Sequence, residues 1–325
     1  MTHRATAQAH PNIAFIKYWG NRDHVLRLPS NPSLSMNLDG LHAETTVTWT
    51  DGEAADRFIL NGREAAGESY LRVVRHLDVM RARLAVDMRA VVESHNNFPT
   101  GAGIASSAAA FAALTVAAAA AAGVALSERE LTTLARQGSG SAARSVPTGF
   151  VEWHTGETDA ESFAESIAAP DHWDLTDVIA VVSAEHKPVG STKGHGSADT
   201  SDLQAARVAG AAGRLAVCRD AVFARDFAAF AEVVERDSDT MHAVMMTSRP
   251  PLFYWLPGSL HIMARVRALR AEGVRVCYTL DAGPNVHCLC LSEDAARVAD
   301  ALRSEAVVES VLTATAGGGA RVIGA

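Results

Sequence analysis

Apolar and polar positions alternate along Glu44–Thr50, which predicts a half-buried strand, and apolar residues recur at helical spacing from Tyr70 to Arg83. Ala85–Glu93 again reads as extended. A small-residue apolar run from Ala108 to Leu126 follows a glycine-rich turn and predicts a buried helix stopped by Gly123. Being mostly alanine, that run gains little from lipid, so no membrane span is expected. Ser127-Glu-Arg-Glu130 has the form of a capping box and opens a helix ending near Gln137. A Ser/Gly turn, a strand over Gly149–His154 and a buried strand over Asp177–Ser183 come next. Helices are expected over 203–218, 222–247 and 257–272, then strands Val274–Leu280 and Val286–Leu291, a helix over 293–304 and a last strand near 320–324. The pattern predicts an α+β chain without internal repeats, in two units spanning 1–180 and 181–325.

With 325 residues, 48% hydrophobic and 20% charged, the chain can bury two ordinary cores. Its first eight residues lack the apolar core of a signal peptide. The four cysteines, at 218, 277, 288 and 290, form no Cys-x-x-Cys pair, and Cys288 and Cys290 share one strand face. That usage fits core packing in a reducing, cytoplasmic compartment, and no protein-bound metal is expected. A net charge of −8 argues against nucleic acid and anionic membranes as partners. Positive charge is nearly all arginine, leaving three lysines, Lys17, Lys187 and Lys193. Lys17 lies in the apolar run Ile13-Ala-Phe-Ile-Lys-Tyr-Trp19, where a lysine needs an anionic partner.

Four segments invite a chemical reading. Pro99-Thr-Gly-Ala-Gly-Ile-Ala-Ser-Ser107 runs straight into the alanine helix, so tight glycine turns, a helix N-terminus and two hydroxyls converge on one spot suited to phosphate oxygens. No Gly-Lys-Ser/Thr follows, so it is not a Walker loop. Gly138-Ser-Gly-Ser-Ala-Ala-Arg144 joins small hydroxyl residues to a guanidinium able to grip a carboxylate or phosphate. His186-Lys-Pro-Val-Gly-Ser-Thr-Lys-Gly194 carries hydroxyls and lysines, and Tyr278-Thr-Leu-Asp-Ala-Gly-Pro-Asn285 puts one acid at a strand end. Taken singly, each reads equally as an ordinary turn or surface loop.

Together these segments resemble the diphosphomevalonate decarboxylase branch of the GHMP kinase superfamily. The resemblance runs through His10–Gly20, Leu28–Ser35, Asn96–Thr100, Gly103–Ala108, Gly138–Ala142, Gly149–Trp153 and Tyr278–Asn285, nearly the whole chain. It implies the GHMP kinase fold, with an N-terminal domain like the second domain of ribosomal protein S5 and a ferredoxin-like C-terminal domain, and commonly a homodimer. The implied chemistry uses ATP and Mg2+ on a phosphorylated 3-hydroxy acid, a small-molecule partner, whose tertiary hydroxyl is phosphorylated before phosphate and carbon dioxide leave. By this resemblance Asp281 faces the 3-hydroxyl, Lys17 keeps Asp281 ionised beside the transferring phosphoryl group, and Arg144 holds the carboxylate. Tyr18, Asn21, Ser139, Gly140, Ser141 and Ser191 would line the substrate pocket. The loop members Pro99, Gly101, Gly103, Ala105, Ser106 and Ser107 would hold the nucleotide phosphates, with magnesium riding on the nucleotide.

One position departs from the pattern. Diphosphate-using members typically read Lys-Tyr-Trp-Gly-Lys, but this chain reads Lys17-Tyr-Trp-Gly-Asn21. Losing a charge-assisted hydrogen bond costs about 1.5–3 kcal/mol. The closest motif match is therefore to phosphomevalonate decarboxylases, and mevalonate 5-phosphate is the expected substrate, with the diphosphate as alternative should Arg22 or Lys193 compensate. A kinase stopping at the 3-phosphate is disfavoured because Asp281 and Arg144 are both present, and a non-catalytic binding descendant because Lys17, Asp281 and the phosphate loop are intact.

Overall fold

The first and last strands of the chain, Arg4–Ala9 and Arg321–Gly324, lie side by side and antiparallel. A computed structural model describes residues 3–98, 103–185 and 189–324. The terminal strands belong to a six-stranded sheet continued by Ala43–Thr50, Arg89–Asn96, Arg57–Leu60 and Arg63–Glu64. Along Ala43–Thr50 burial alternates residue by residue, as the sequence pattern requires for a sheet with one covered face. The cover is the helix Ser106–Ala121, whose alanines let it lie close to the strands; Trp49 bridges the two by donating its indole N–H to the Ala118 carbonyl (3.0 Å). Arg89–Asn96 starts later than the extended stretch expected from Ala85, because Ala85 adopts left-handed φ, ψ and closes the helix Gly67–Leu84. The Ser127 capping box is present, opening Glu128–Gly138.

A second sheet runs in the order Ala164–Ala168, Phe150–Trp153, Ser33–Asn37, Asn12–Ile16. A third holds Val276–Thr279, Val286–Leu291, Leu175–Val181 and Ser310–Thr315. The division expected near residue 180 runs through Leu175–Val181, whose partners both come from later in the chain. Helices Gln204–Ala224 and Phe227–Thr247 bury Cys218, Val222, Phe230 and Val234 together with Phe15 and Ile16 of the second sheet and Cys277 and Leu289 of the third. One continuous core thus fixes the end of Asn12–Ile16 against the end of Val276–Thr279. The fold brings Lys17 and Asp281 together by this route. All four cysteines are buried and unpaired. Among the described residues no helix is long and apolar enough to cross a membrane.

Candidate active site

Asn12–Ile16 is wholly buried and ends at Lys17, which is 1% exposed. The backbone there is clamped from the helical pair behind it. Arg207 donates to the Lys17 carbonyl (2.7 Å) and the Trp19 carbonyl (3.1 Å), Asn31 donates to the Lys17 carbonyl (2.9 Å), and the Lys17 N–H donates to Asp237 (2.6 Å). Asp237 is itself held by Arg214 (2.6 Å). So fixed, Lys17 Nζ meets Asp281 Oδ1 at 2.6 Å, the anion that its apolar setting demanded. Burial pushes the Lys17 ammonium down despite Asp281 and Asp237. Burial pushes the Asp281 carboxyl up, but Lys17, His287 and Arg144 outweigh it and hold the group below its ordinary range. Asp281 is therefore a carboxylate at neutral pH, and about a quarter of its side chain stays open to the cavity (26%).

Arg144 sits in the 3-10 turn Gly140–Ser145 and is 3% exposed. Its Nε donates to Asn12 Oδ1 (3.2 Å) and its Nη1 to Ser33 Oγ (2.6 Å), while Asn12 in turn donates to Ser145 Oγ and the Ser141 carbonyl. Burial pushes Arg144 down to about 10, so it remains a cation at neutral pH. Among the described residues its hydrogen-bond acceptors are neutral and Asp281 acts on it through space, which leaves its charge available to an anionic ligand. Tyr18 packs edge-on to Trp153 and stacks on His195 at 4.1 Å. Burial pushes its hydroxyl up to about 12, and that hydroxyl donates to Asn21 Oδ1. Gly140 makes this packing possible: a Cβ there would lie 2.4 Å from Tyr18 Cε1. We expect Gly140→Ala to displace Tyr18, at about 1–3 kcal/mol of stability. Chemical denaturation checks it, and an unchanged stability would show that Tyr18 keeps its place.

These groups line one cavity of about 860 Å³. Lys17, Tyr18, Ser139, Gly140, Ser141, Arg144, Ser191, Lys193 and Asp281 line it, together with Gly103, Ala105, Ser106 and Ser107. Asn21 is buried behind Tyr18 and does not line it, and Arg22 turns outward to Glu157 (3.1 Å) and the Thr155 carbonyl. Pro99 and Gly101 lie outside the described residues, as does Lys187. The helix at Ser106 begins from Ala105 in left-handed conformation (φ 46°), with no side-chain cap and no acid in its first turn. Its first N–H groups thus suit an outside anion, and Ser107 Oγ reaches Ser139 Oγ at 3.2 Å, joining the two small-residue segments. A further arm of the cavity, lined by Phe58, Leu60, Val73, Val92, Phe111 and Leu114 with Ser69, Ser94 and Asn96 at its edge, had no motif to announce it. Among the described residues no group of three or more His, Cys, Asp or Glu can hold a metal.

A second concavity of about 880 Å³ lies against helices Phe227–Thr247 and Pro257–Ala271. Several of its polar groups are already engaged: Arg270 grips Glu235 (2.6 and 2.9 Å), and the Tyr278 hydroxyl accepts from Arg267 and donates to Asp239. It offers no cation of the buried, neutrally held kind that Arg144 provides.

Comparison with known proteins points one way. Residues 9–164 match the diphosphomevalonate decarboxylase-like N-terminal domain, and residues 177–318 the mevalonate 5-diphosphate decarboxylase C-terminal domain. The diphosphomevalonate decarboxylase of Aspergillus fumigatus is 41% identical over 324 residues, covering 93% of this chain and 80% of that protein. That of Bos taurus is 39% identical over 327 residues, covering 94% and 81%. Among solved structures, mevalonate diphosphate decarboxylase from Staphylococcus aureus superposes with a TM-score of 0.95 at 35% identity, covering 99% of this chain and 98% of that one. MDDEF in complex with MVAPP, AMPPCP and magnesium superposes with a TM-score of 0.94 at 37% identity, covering 99% of each chain.

Proposed function

This chain belongs to the diphosphomevalonate decarboxylase family, and from that membership we propose that it decarboxylates mevalonate 5-diphosphate with ATP and Mg2+. The observation that carries the reading is the Lys17–Asp281 pair, 2.6 Å apart at the floor of a cavity that also holds a neutrally bound Arg144 and an uncapped helix N-terminus. ATP with its magnesium supplies the phosphoryl group that makes the tertiary hydroxyl a leaving group. Gly103, Ala105, Ser106 and Ser107 fit its phosphates, through backbone N–H groups and hydroxyls on a helix without an acid to repel them. The apolar arm beside Phe58, Val92 and Leu114 suits the flat face of its base.

Asp281 accepts the proton of the 3-hydroxyl, or orients that hydroxyl, while the Lys17 ammonium keeps it ionised and offsets negative charge on its far side. Arg144 holds the substrate carboxylate until it departs as carbon dioxide. Ser139, Gly140, Ser141, Ser191 and Tyr18 take the remaining oxygens.

The relatives are named for the diphosphate, and this favours it over the monophosphate expected from Asn21. Of the two compensating cations weighed, Lys193 lines the cavity and Arg22 does not, and Arg27 and Arg72 add positive charge to the lining. The neutral Asn21 behind Tyr18 supports the second reading, mevalonate 5-phosphate. Carbon dioxide release and ADP formation from mevalonate, its 5-phosphate and its 5-diphosphate, compared by kcat/KM, separate the two. Higher kcat/KM for the monophosphate would overturn the main reading, and ADP without carbon dioxide would make the protein a 3-kinase. We expect Asn21→Lys to raise the diphosphate-to-monophosphate ratio by about tenfold, the worth of one charge-assisted hydrogen bond. An unmoved ratio would withdraw position 21 from specificity. Four buried, unpaired cysteines support a cytoplasmic enzyme, and the homodimer implied by the resemblance is tested by sedimentation.

A further inference from the structure

His287 and Asp177 are titratable residues given no contact with substrate above, His287 acting on Asp281 only through space. His287 lies in Val286–Leu291, Asp177 in the neighbouring strand Leu175–Val181, and the two are 1% and 0% exposed. His287 Nδ1 meets Asp177 Oδ2 at 2.6 Å. Its other nitrogen, Nε2, meets the Gly103 carbonyl at 3.4 Å, across 184 positions of sequence. A carbonyl accepts and never donates, so Nε2 carries a proton and donates to Gly103. Gly103 is also the point where the loop touches the Asp281 turn: at its φ of +88°, a Cβ would lie 3.0 Å from Gly283 Cα. The Gly103 carbonyl and the Ile104 N–H belong to one trans peptide and point opposite ways. Glycine at this φ gives that peptide little steric reason to keep one orientation.

We propose that His287 is a positioning residue for nucleotide binding: braced by Asp177, its ring holds the Gly103 carbonyl inward, so that the Ile104 N–H and the helix start behind it present donors to phosphate. The charged groups facing the ring are Asp177 from its neighbouring strand, Asp281 from the turn and Lys17 from the opposite sheet. Burial works against a charged imidazole here, but Asp177 outweighs it and its pKa is raised. The inference rests on the ATP reading of the cavity, which wild-type turnover tests separately.

Two variants test it. Asp177→Asn/His287→Leu removes the buried pair together and leaves Gly103 without a donor. Asp177→Asn alone leaves a neutral ring whose Nδ1 accepts from the asparagine amide while Nε2 still donates to Gly103. With wild-type turnover in hand, the double variant should raise the KM for ATP at least about fivefold while the KM for the acid substrate moves less than about twofold, and the single variant should leave both within about twofold. An unchanged KM for ATP in the double variant, or equal rises for both substrates, overturns the proposal. Should the double variant fail to fold by circular dichroism, His287→Gln replaces it. One amide cannot donate to both acceptors from their present places, so the same selective rise in KM is expected, and its absence overturns the proposal.

Discussion

Asp281→Asn should lower turnover by about 10²–10⁴-fold, the range lost when a positioned acid–base group is removed, while binding of a non-hydrolysable ATP analogue stays within about twofold. The substitution is nearly isosteric, and its Oδ1 still accepts from the Lys17 ammonium at the 2.6 Å contact, so the fold is not at stake. What goes is charge. Lys17 then has Asp237 as its remaining nearby anion, bonded to the Lys17 backbone and shared with Arg214. With its pKa already depressed by burial, the ammonium is pushed further toward neutrality, so one substitution weakens both halves of the pair. Because Asp281 is held below the ordinary carboxylate range, its protonation does not shape the activity profile near neutral pH. Single-turnover measurement of ADP and carbon dioxide beside analogue calorimetry checks the expectation. Near-normal turnover would remove Asp281 from the reaction, and a matching loss of analogue affinity would make its role structural.

The pair itself was legible because burial of an ammonium in Ile13–Trp19 is untenable without an anion, whatever the fold. The resemblance named Asp281 as that anion, whereas burial and spacing alone did not, since residues 264 positions apart meet through a core shared by two sheets. The strand Ser33–Asn37 escaped the pattern for a related reason. Every residue in it is buried, and its alternate positions are Ser33, Ser35 and Asn37, so polarity does not mark an outer face. Ser33 is spent on Arg144 and Asn37 on the Pro147 and Gly318 carbonyls. Arg207 and Asp237 were overlooked too, although their signal was present. Arg207 falls on the same helical face as Ala211, Leu215, Cys218 and Val222, and a charge on an apolar face marks a buried polar task. The cavity's apolar arm had no such signal, because its residues come one or two at a time from two strands and two helices.

Arg144→Ala should separate the two ligands most sharply. The guanidinium is buried and cationic, and among the described residues it is bonded to neutral Asn12 and Ser33 with Asp281 acting through space, so an acid substrate would supply its directly bonded anion. Truncating one member of a buried hydrogen-bonded charge pair costs about 2–5 kcal/mol, or roughly 30- to 5,000-fold in kcat/KM for the acid substrate. The hydrogen bonds of Arg144 go to Asn12 and Ser33, and the proposed nucleotide segment Gly103–Ser107 keeps its donors, so the KM for ATP should change less than about threefold. Arg144→Lys should recover little, because an ammonium cannot reproduce the Nε bond to Asn12 and the Nη1 bond to Ser33 while meeting both oxygens of a carboxylate. Removing the guanidinium also leaves Asn12 Oδ1 and Ser33 Oγ without their partner, so stability is measured alongside by denaturant titration. Equal losses for acid and nucleotide would identify Arg144 as a strut of the Gly140–Ser145 turn. A loss confined to the acid would tie the carboxylate, the group that leaves as carbon dioxide, to this buried cation.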